Sequence, residues 1–378
     1  LDAKLAQPAS RKTVHRPGQA DRRALKRRKQ VKNGIQEFFS HVLIITFGLF
    51  FIVPFLWMVL TAFKSDQDVF HTPPRWLPYD NVRVTVNGEL LPLYRVKTEA
   101  GVKELAMIQI VEGKGTFVDP ANPAQLLEYE LQMGSERIAE PIMHVSFRWQ
   151  NFSDAMNRGS RPTVGASFWR YLQNSLVIAF ISIIGTLVSN TPVAYAFARI
   201  NFPGRDALFV LVLATMMLPF QVTMIPIYLF FNDFLGWGDT FLPLLVPTFF
   251  ANAYDVFLLR QFFRTIPEEM CDAARVDGAS EWQIFTRIVI PLSVPVLATV
   301  TVFTFLWAWN DFTGPLLFLN SPRNFTMALG LQDFRGQHTM VWNQMMAAAT
   351  VFTIPIIIAF FFAQKTFIQG IKLTGSKE

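Results

Sequence analysis

The chain repeatedly sustains about 20 consecutive, predominantly apolar residues, the length an α-helix needs to cross a bilayer. These runs begin near Phe38, Phe168, Asp206, Thr240, Ile290 and Trp342. Lipid offers backbone N–H and C=O groups no partner, so spans of this kind must be helical. Charged residues make up only 16% of the 378 positions and hydrophobic ones 51%, against roughly a quarter charged in soluble domains. A pair of soluble domains is thereby excluded. The expected fold is an all-α polytopic membrane protein with six spans.

The net charge of +6 points away from nucleic acid once its distribution is read. Residues 1–37 carry eleven Lys and Arg against three acids, a juxtamembrane cluster of the kind that marks a cytoplasmic face. Six spans put both termini, Arg199, Arg205, Arg264, Arg275, Arg287 and Lys372 on that same side. The single cysteine, Cys271, precludes an intrachain disulfide. The first apolar run is too long and too deep to be a signal peptide, so it is expected to stay as an anchor. The chain opens on Leu1 rather than Met, which suggests a short preceding piece.

The expected organisation is a basic, flexible cytoplasmic tail (1–37), a first span (38–62) with a kink at Pro54, and an outer loop (63–167). A five-span core (168–367) and a cytoplasmic tail (368–378) follow. The second span is expected to break at Asn190-Thr191-Pro192. Pro192, Pro219, Pro226, Pro243, Pro247 and Pro295 serve either as hinges or as fixed kinks. Residues 64–162 hold eleven basic and thirteen acidic side chains and no membrane-length run. Within them, about 79–147 reads as a small extracytoplasmic all-β insert. Val82 to Val86 alternates, Asn87-Gly88 is a hairpin turn, and Glu89 to Val96 returns. Glu99-Ala100-Gly101 and Glu112-Gly113-Lys114-Gly115 are further turns around a strand at 102–111, with another strand near 126–133.

Residues 265–291 are charged and helix-forming, wedged between two apolar runs. They read as a helical hairpin lying at one membrane face. A Thr265-x-x-Glu268 capping box starts the first helix, with Pro267 in its first turn, and Ser280-x-x-Gln283 starts the second. Asp277-Gly278 makes the turn between them. Pro291 marks the onset of the next apolar run.

The stretch Asp272-Ala273-Ala274-Arg275-Val276-Asp277-Gly278-Ala279, followed by Phe285, Ile288 and Pro291, resembles the EAA loop of ABC importer permeases. Asp272 departs from the family's usual Glu. Further segments match carbohydrate importer permeases in order: Thr61 to Lys64, Pro73 to Pro78, Asn151-Phe152, Trp169 to Ser175, Ala194 to Arg199, Phe202 to Arg205, Leu218 to Gln221, Ile225 to Tyr228, Trp309 to Phe312 and Phe367 to Gly370. The likeness covers roughly 38–78 and 149–372, and is closest to the six-helix, maltose-type subunit. It implies the type I ABC importer permease fold in a bacterial or archaeal cytoplasmic membrane. It also implies a second homologous permease, two cytoplasmic ATPases, an extracytoplasmic solute-binding protein and a carbohydrate substrate. The insert lies outside the likeness; it either contacts the binding protein or partner permease, or simply stabilises the outer loop.

No nucleotide-binding loop is present. Gly113-Lys-Gly-Thr116 lacks the upstream Gly and the Lys-Ser/Thr pair. No HExxH, paired metal-ligand cysteines or nucleophile elbow occurs either. The chain is therefore expected to be non-catalytic and free of cofactor or metal, with ATP and Mg held on the partner ATPase. In this reading Glu269, Asp272, Ala273, Ala274, Arg275, Asp277, Gly278, Ala279 and Phe285 form the ATPase-coupling set. Met270, Val276 and Trp282 add apolar surface. Polar and aromatic residues within spans are pathway candidates: Asn190, Gln221, Asn252, Trp307, Asn310 and Asp311, with Asn174, Asp255 and Trp309 nearby. Helix–helix hydrogen bonding and interfacial anchoring are the competing roles for each. An ion-coupled transporter or channel, or a receptor using the insert, is the competing function. The first predicts ionisable residues deep in the spans and an inverted repeat; the second leaves the hairpin unexplained.

Overall fold

The computed structural model describes residues 19–98, 101–111, 113–133, 136–157, 166–334 and 341–375. The chain forms two compact units, divided between Trp57 and Met58. The first contributes most of α1 (Gln19–Ala62), one helix that continues through Pro54. Residues 19–37, expected as flexible tail, extend this same helix, because Ala, Leu, Lys, Arg and Gln dominate there and all are strong helix formers. Its apolar part, Lys32–Ala62, is long enough to span a bilayer.

After the end of α1, the second unit continues with α2 (Asp66–Val69) and then the β insert. Strands β1 (Tyr79–Asn81) and β10 (Met143–Val145) pair antiparallel and close its base. Between them β2 (Arg83–Val86), β3 (Glu89–Thr98), β4 (Gly101–Val111), β5 (Lys114–Asp119) and β6 (Asn122–Glu130) form a meander. β7 (Gln132–Met133) and β8 (Glu136–Arg137) make a small hairpin, and β9 (Ala139–Pro141) pairs with β3. Asn87 and Gly88 both have positive φ, +52° and +87°, as a type I′ hairpin turn requires. Residues 99, 100 and 112 of the other expected turns lie outside the described residues. Strand alternation puts Val96, Leu105 and Phe117 on one side of the sheet and Val86, Ala106 and Val118 on the other, and both sets are buried. The insert thus has a core of its own.

Its root is polar and aromatic. Arg148 donates Nε and Nη2 to one Asp80 oxygen at 2.9 and 2.5 Å. In α3 (Gln150–Asn157), Asn151 donates to the carbonyls of Ala62 and Lys64 at 2.8 and 2.9 Å. Phe63 packs among Phe147, Trp149 and Phe152. The chain leaving the insert is therefore tied back to the point where the chain entered it.

α4 (Phe168–Arg199) is uninterrupted, correcting the expected break at Asn190-Thr191-Pro192. Pro192 has no N–H to give to the Val188 carbonyl, yet the helix runs on through it. In the turn just before it, the side chains of Asn190 and Thr191 donate to the carbonyls of Thr186 and Leu187, at 2.8 and 2.7 Å. The next apolar run is bent by 90° between α5 (Arg205–Thr215) and α6 (Phe220–Leu229), the latter continuing as a π turn to Phe234. Pro219 stands at the start of α6 and Pro226 removes a second donor inside it.

α7 (Leu242–Leu245), a 3-10 turn to Phe249 and α8 (Ala253–Phe263) form the following span. It passes close to α4 at Gly185, where any Cβ would collide with Thr248 and the Phe249 ring. Then come α9 (Glu268–Val276), α10 (Glu281–Ile284), a π turn over Phe285–Val289 and α11 (Ile290–Leu292). α12 (Val294–Asn310) leaves this segment at 77°, the break falling at Ser293 rather than at Pro291. α13 (Thr313–Phe318), α14 (Met327–Gly330) and α15 (Trp342–Gly375) follow. With each bent pair counted once, six segments are long and apolar enough to cross a membrane.

Two cores hold the helical part of the second unit. One joins α4, α8, the 265–291 hairpin and α12 through Val256, Leu259, Phe263, Cys271, Ile284, Val289 and Val300. The other gathers Phe168, Tyr171, Trp309, Met327 and Ala347 at the opposite end of α4 and α12.

Candidate functional site

The 265–291 hairpin is organised by its turn. Gly278 has φ +83°, and its N–H donates to the Arg275 carbonyl at 3.0 Å while Ala279 N–H donates to Ala274 at 2.9 Å. This pair of bonds is the Schellman motif, with glycine at the one left-handed position. Ser280 and Gln283 form the expected capping box, at 3.3 and 2.8 Å. The first expected box does not form. Pro267 occupies the cap position of α9, and the Thr265 hydroxyl turns back to the Phe262 carbonyl at 2.7 Å. Thr265 thereby finishes the preceding helix instead of starting the next.

One face of α9 is turned to the core through Cys271 and Ala274, while Glu269, Asp272, Ala273 and Val276 are exposed. Met270, Val276 and Trp282 present apolar surface outward, Val276 at 87% exposure. Asp277 and Gly278 are exposed at the tip, and Ala279 packs partly inward. Phe285 is buried between Tyr195 and Trp282, so it supports the hairpin from beneath.

Charge pairing fixes the corner. Arg275 donates to Asp272 at 2.7 Å and to Glu281 at 2.8 Å, which joins the two helices. The other Glu281 oxygen accepts from the Tyr195 hydroxyl of α4 at 2.6 Å. Glu281, then Asp272, hold the Arg275 guanidinium above its ordinary value. Hydrogen bonds from Arg275 and Tyr195 in turn keep the Glu281 carboxyl below the usual carboxylate range. Two further arginines tie α4 to α8: Arg199 donates to the carbonyls of Phe263 and Ile266, and Arg260 Nε to that of Phe197 at 3.1 Å. Tyr195 and Glu281 were not singled out from sequence. A tyrosine in an apolar helix, whose hydroxyl needs a buried partner, was the available signal.

A second feature lies within the spans. A cavity of about 760 Å³ opens between α4, the α7–α8 segment and α12. Phe250, Tyr254, Phe303 and Trp307 supply aromatic walls, and Thr186, Thr248, Asn252, Asp255 and Thr304 supply polar groups. Asn252 caps α8 by accepting from Asp255 N–H at 2.9 Å and donates to Asp255 Oδ2 at 2.5 Å.

Of the six pathway candidates, the cavity brings together Asn252 and Trp307. Asn190 is fully enclosed; its side-chain oxygen accepts from Asn252 N–H at 2.8 Å and bridges the break before α8. Asp311 accepts from Gly314 N–H at 3.0 Å at the start of α13. Asn310 is exposed and donates to the Leu306 carbonyl, and Gln221 is exposed in the first turn of α6. Asn174 donates to the carbonyls of Arg323 and Phe325, both at 2.9 Å. Trp309 is a core residue, wholly buried between Phe305 and Phe352, with Nε1 donating to the Phe352 carbonyl.

At the far end of the spans Asp239 joins two loops. Its Oδ1 accepts from the N–H groups of Asn320 and Ser321 at 2.9 and 2.8 Å, its Oδ2 accepts from the Ser321 hydroxyl, and its carbonyl from Asn324. Partial burial opposes ionisation there, yet the bonds from Ser321, Asn320 and Asn324 hold the carboxyl down to about 2.

Residues 190–373, which include the hairpin and most of the cavity, match the family model described as binding-protein-dependent transport system inner membrane component. The sn-glycerol-3-phosphate transport system permease protein UgpE of Rhizobium meliloti is 36% identical over 225 residues, 59% of this chain and 79% of that protein. The arabinooligosaccharides transport system permease protein AraQ of Halalkalibacterium halodurans is 33% identical over 215 residues, covering 57% and 76%. The osmoprotective compounds uptake permease protein GgtD of Synechocystis is 34% identical over 238 residues, covering 62% and 77%. In fold the chain is similar to a solved bacterial ABC transporter involved in import of the acidic polysaccharide alginate, with a TM-score of 0.59 at 19% identity, covering 88% of this chain and 97% of that one. With six apolar segments and this kinship in view, the chain belongs to the binding-protein-dependent inner membrane components of ABC transporters, as a multi-pass, non-catalytic permease subunit related to carbohydrate permeases.

Proposed function

We propose that this permease subunit forms half of a carbohydrate translocation pathway, operated by alternating access and driven by ATPases that dock on the 265–291 hairpin. The observation that carries the reading is the intramembrane cavity, where aromatic faces and hydrogen-bonding groups converge. Sugars present both needs: apolar C–H faces that stack on rings, and hydroxyls that seek donors and acceptors. The hairpin supports the coupling half of the reading. Its exposed Met270, Val276 and Trp282 offer apolar anchors, and Glu269, Asp272, Arg275 and Asp277 set their register.

In this reading the hairpin and both termini are cytoplasmic and the β insert is outside, facing the binding protein or the partner permease. A second, homologous permease supplies the other half of the pathway, and ATP with Mg sits on the ATPases. Closure of those ATPases draws the hairpins together and favours the outward-facing state. Two of the relatives are permeases for arabinooligosaccharides and for a glycerol phosphate, which supports a hydroxylated cargo.

The deciding experiment is uptake of mono-, di- and oligosaccharides by the reconstituted assembly. ATP-dependent uptake of at least one carbohydrate is expected, with an ATPase subunit co-purifying. Uptake driven by an ion gradient, or the reproducible absence of an ATPase, overturns the proposal.

A further inference from the structure

The relatives leave the charge of the cargo open, since glycerol-3-phosphate is an anion and arabinooligosaccharides are neutral. The cavity lining is more selective. Among the described residues it holds one carboxylate, Asp255, and no Lys, Arg or His. Of the arginines nearest along the chain, Arg260 is engaged with the Phe197 carbonyl and the Phe209 ring, and Arg264 lies beyond it at the end of α8. Asp255 is itself 7% exposed, and among the described residues no ion pair reaches it. Asn252 orients it: Asn252 Nδ2 holds Oδ2, and Asn252 Oδ1 holds the Asp255 N–H. That exchange leaves Oδ1 outside it, able to accept from a cargo hydroxyl.

From these residues we infer that Asp255 makes the cavity select uncharged carbohydrate over phosphorylated or uronic-acid carbohydrate. The inference rests on the reading that the cavity holds the cargo. A desolvated phosphate or uronate entering here finds no cation to pair with and a carboxylate to face. A neutral sugar donates a hydroxyl to that same carboxylate and stacks its C–H face on Trp307, Tyr254 or Phe303. Asp255 thereby offers an acceptor that a sugar hydroxyl satisfies and an anion does not, and the lining supplies no cation to compensate.

The test is equilibrium binding to the purified assembly, with its partner permease and ATPases, in nanodiscs. The probes are uncharged di- and trisaccharides, the matching uronates, and glycerol 3-phosphate. At least one uncharged sugar is expected to bind about tenfold or more tighter than its uronate. Asp255→Asn should shrink that ratio at least threefold, and Asp255→Glu, which keeps the charge, should retain it. Because the readout is a ratio within one preparation, a lowered folded fraction cancels. An anionic probe that binds as tightly as every uncharged one, or an unchanged ratio in Asp255→Asn, overturns the inference. Trp307→Ala separates this failure from that of the underlying reading. If that variant weakens whichever probes bind, the cavity holds cargo and only the charge rule falls. If Trp307→Ala changes nothing, or no carbohydrate binds at all, the cavity is not the cargo site and both fall together.

Discussion

The hydroxyl of Tyr195 lies 2.6 Å from Glu281 Oε2, so a transmembrane helix and the 265–291 hairpin share a hydrogen bond 86 residues apart in sequence. Glu281 accepts from Arg275 through its other oxygen, and one carboxylate thereby joins α4, α9 and α10. Removing the hydroxyl in Tyr195→Phe should cost about 1.5–3 kcal/mol, the worth of a hydrogen bond to a charged group. The melting temperature of the purified complex is expected to fall, and transport per ATP hydrolysed to fall with it. A variant with wild-type values for both would show that the bond carries no coupling.

Gly278 sits at φ +83°, and an added Cβ would meet nothing within 4 Å. Its substitution therefore costs backbone strain alone, about 1–2 kcal/mol. Gly278→Ala should lower stability modestly and keep the ATPase bound. Gly278→Glu projects a charged side chain from the exposed tip. It should reach the membrane in normal yield yet lose ATPase co-purification or transport. Normal transport in Gly278→Glu counts against docking at this corner.

Two neighbouring tryptophans should behave oppositely. Trp309 is wholly buried with a satisfied Nε1, so Trp309→Ala should destabilise by about 3–5 kcal/mol and reduce the yield of folded protein. Trp307 is 61% exposed and lines the cavity. Trp307→Ala should leave thermal stability near wild type and reduce sugar uptake. Thermal melts and uptake assays on the same preparations decide between them.

Asp239 gives the protein an acid-sensitive joint. Its folded carboxyl is held down to about 2, below the ordinary value near 3.8. A depressed carboxyl stabilises the fold above the unfolded pKa, and that contribution is lost as pH falls through the folded one. The link between the 236–239 turn and the 320–324 loop should therefore hold at pH 5 and weaken between about pH 4 and 2. Asp239→Asn should be less stable than wild type at pH 5, with the difference shrinking across that window. A difference independent of pH would assign the stabilisation to groups other than the carboxylate.

The root of the β insert makes a further expectation concrete. Arg148→Ala removes both bonds to Asp80 and should loosen the base strands without dissolving the insert's own core. Limited proteolysis is expected to cut near residues 79–81 and 143–148 sooner than in wild type. Unchanged protection would mean that Asn151 and the Phe63 cluster suffice.

The spans were legible because length and hydropathy decide them locally, and the turn at Gly278 because only one residue type is comfortable there. Asn87-Gly88 was readable for the same reason. Elsewhere proline was a poor guide: α4 continues through Pro192, whereas the 250–252 break contains no proline. Thr265 misled because its hydroxyl served two candidate helices equally well by spacing, and Pro267 chose between them. The cavity was half visible. Asn252 and Trp307 were marked as polar and aromatic residues in spans, but Tyr254, Phe303 and Thr248 join them only through packing between distant segments. Contacts such as Asp239 with Ser321 leave no local periodic trace at all.

The 77° junction at Ser293 has a mechanical meaning. Helix 281–292 and α12 form the two arms of a bell crank, roughly 18 and 26 Å long at 1.5 Å per residue. A rigid crank of these proportions turns a push of about 3 Å at the hairpin end into about 4 Å at the far end of α12, along an axis nearly at right angles. Trp307 rides close to that far end. In the coupling proposed above, a thrust from an ATPase docked on the hairpin is redirected toward the cavity wall, with leverage set by where along the chain the elbow falls.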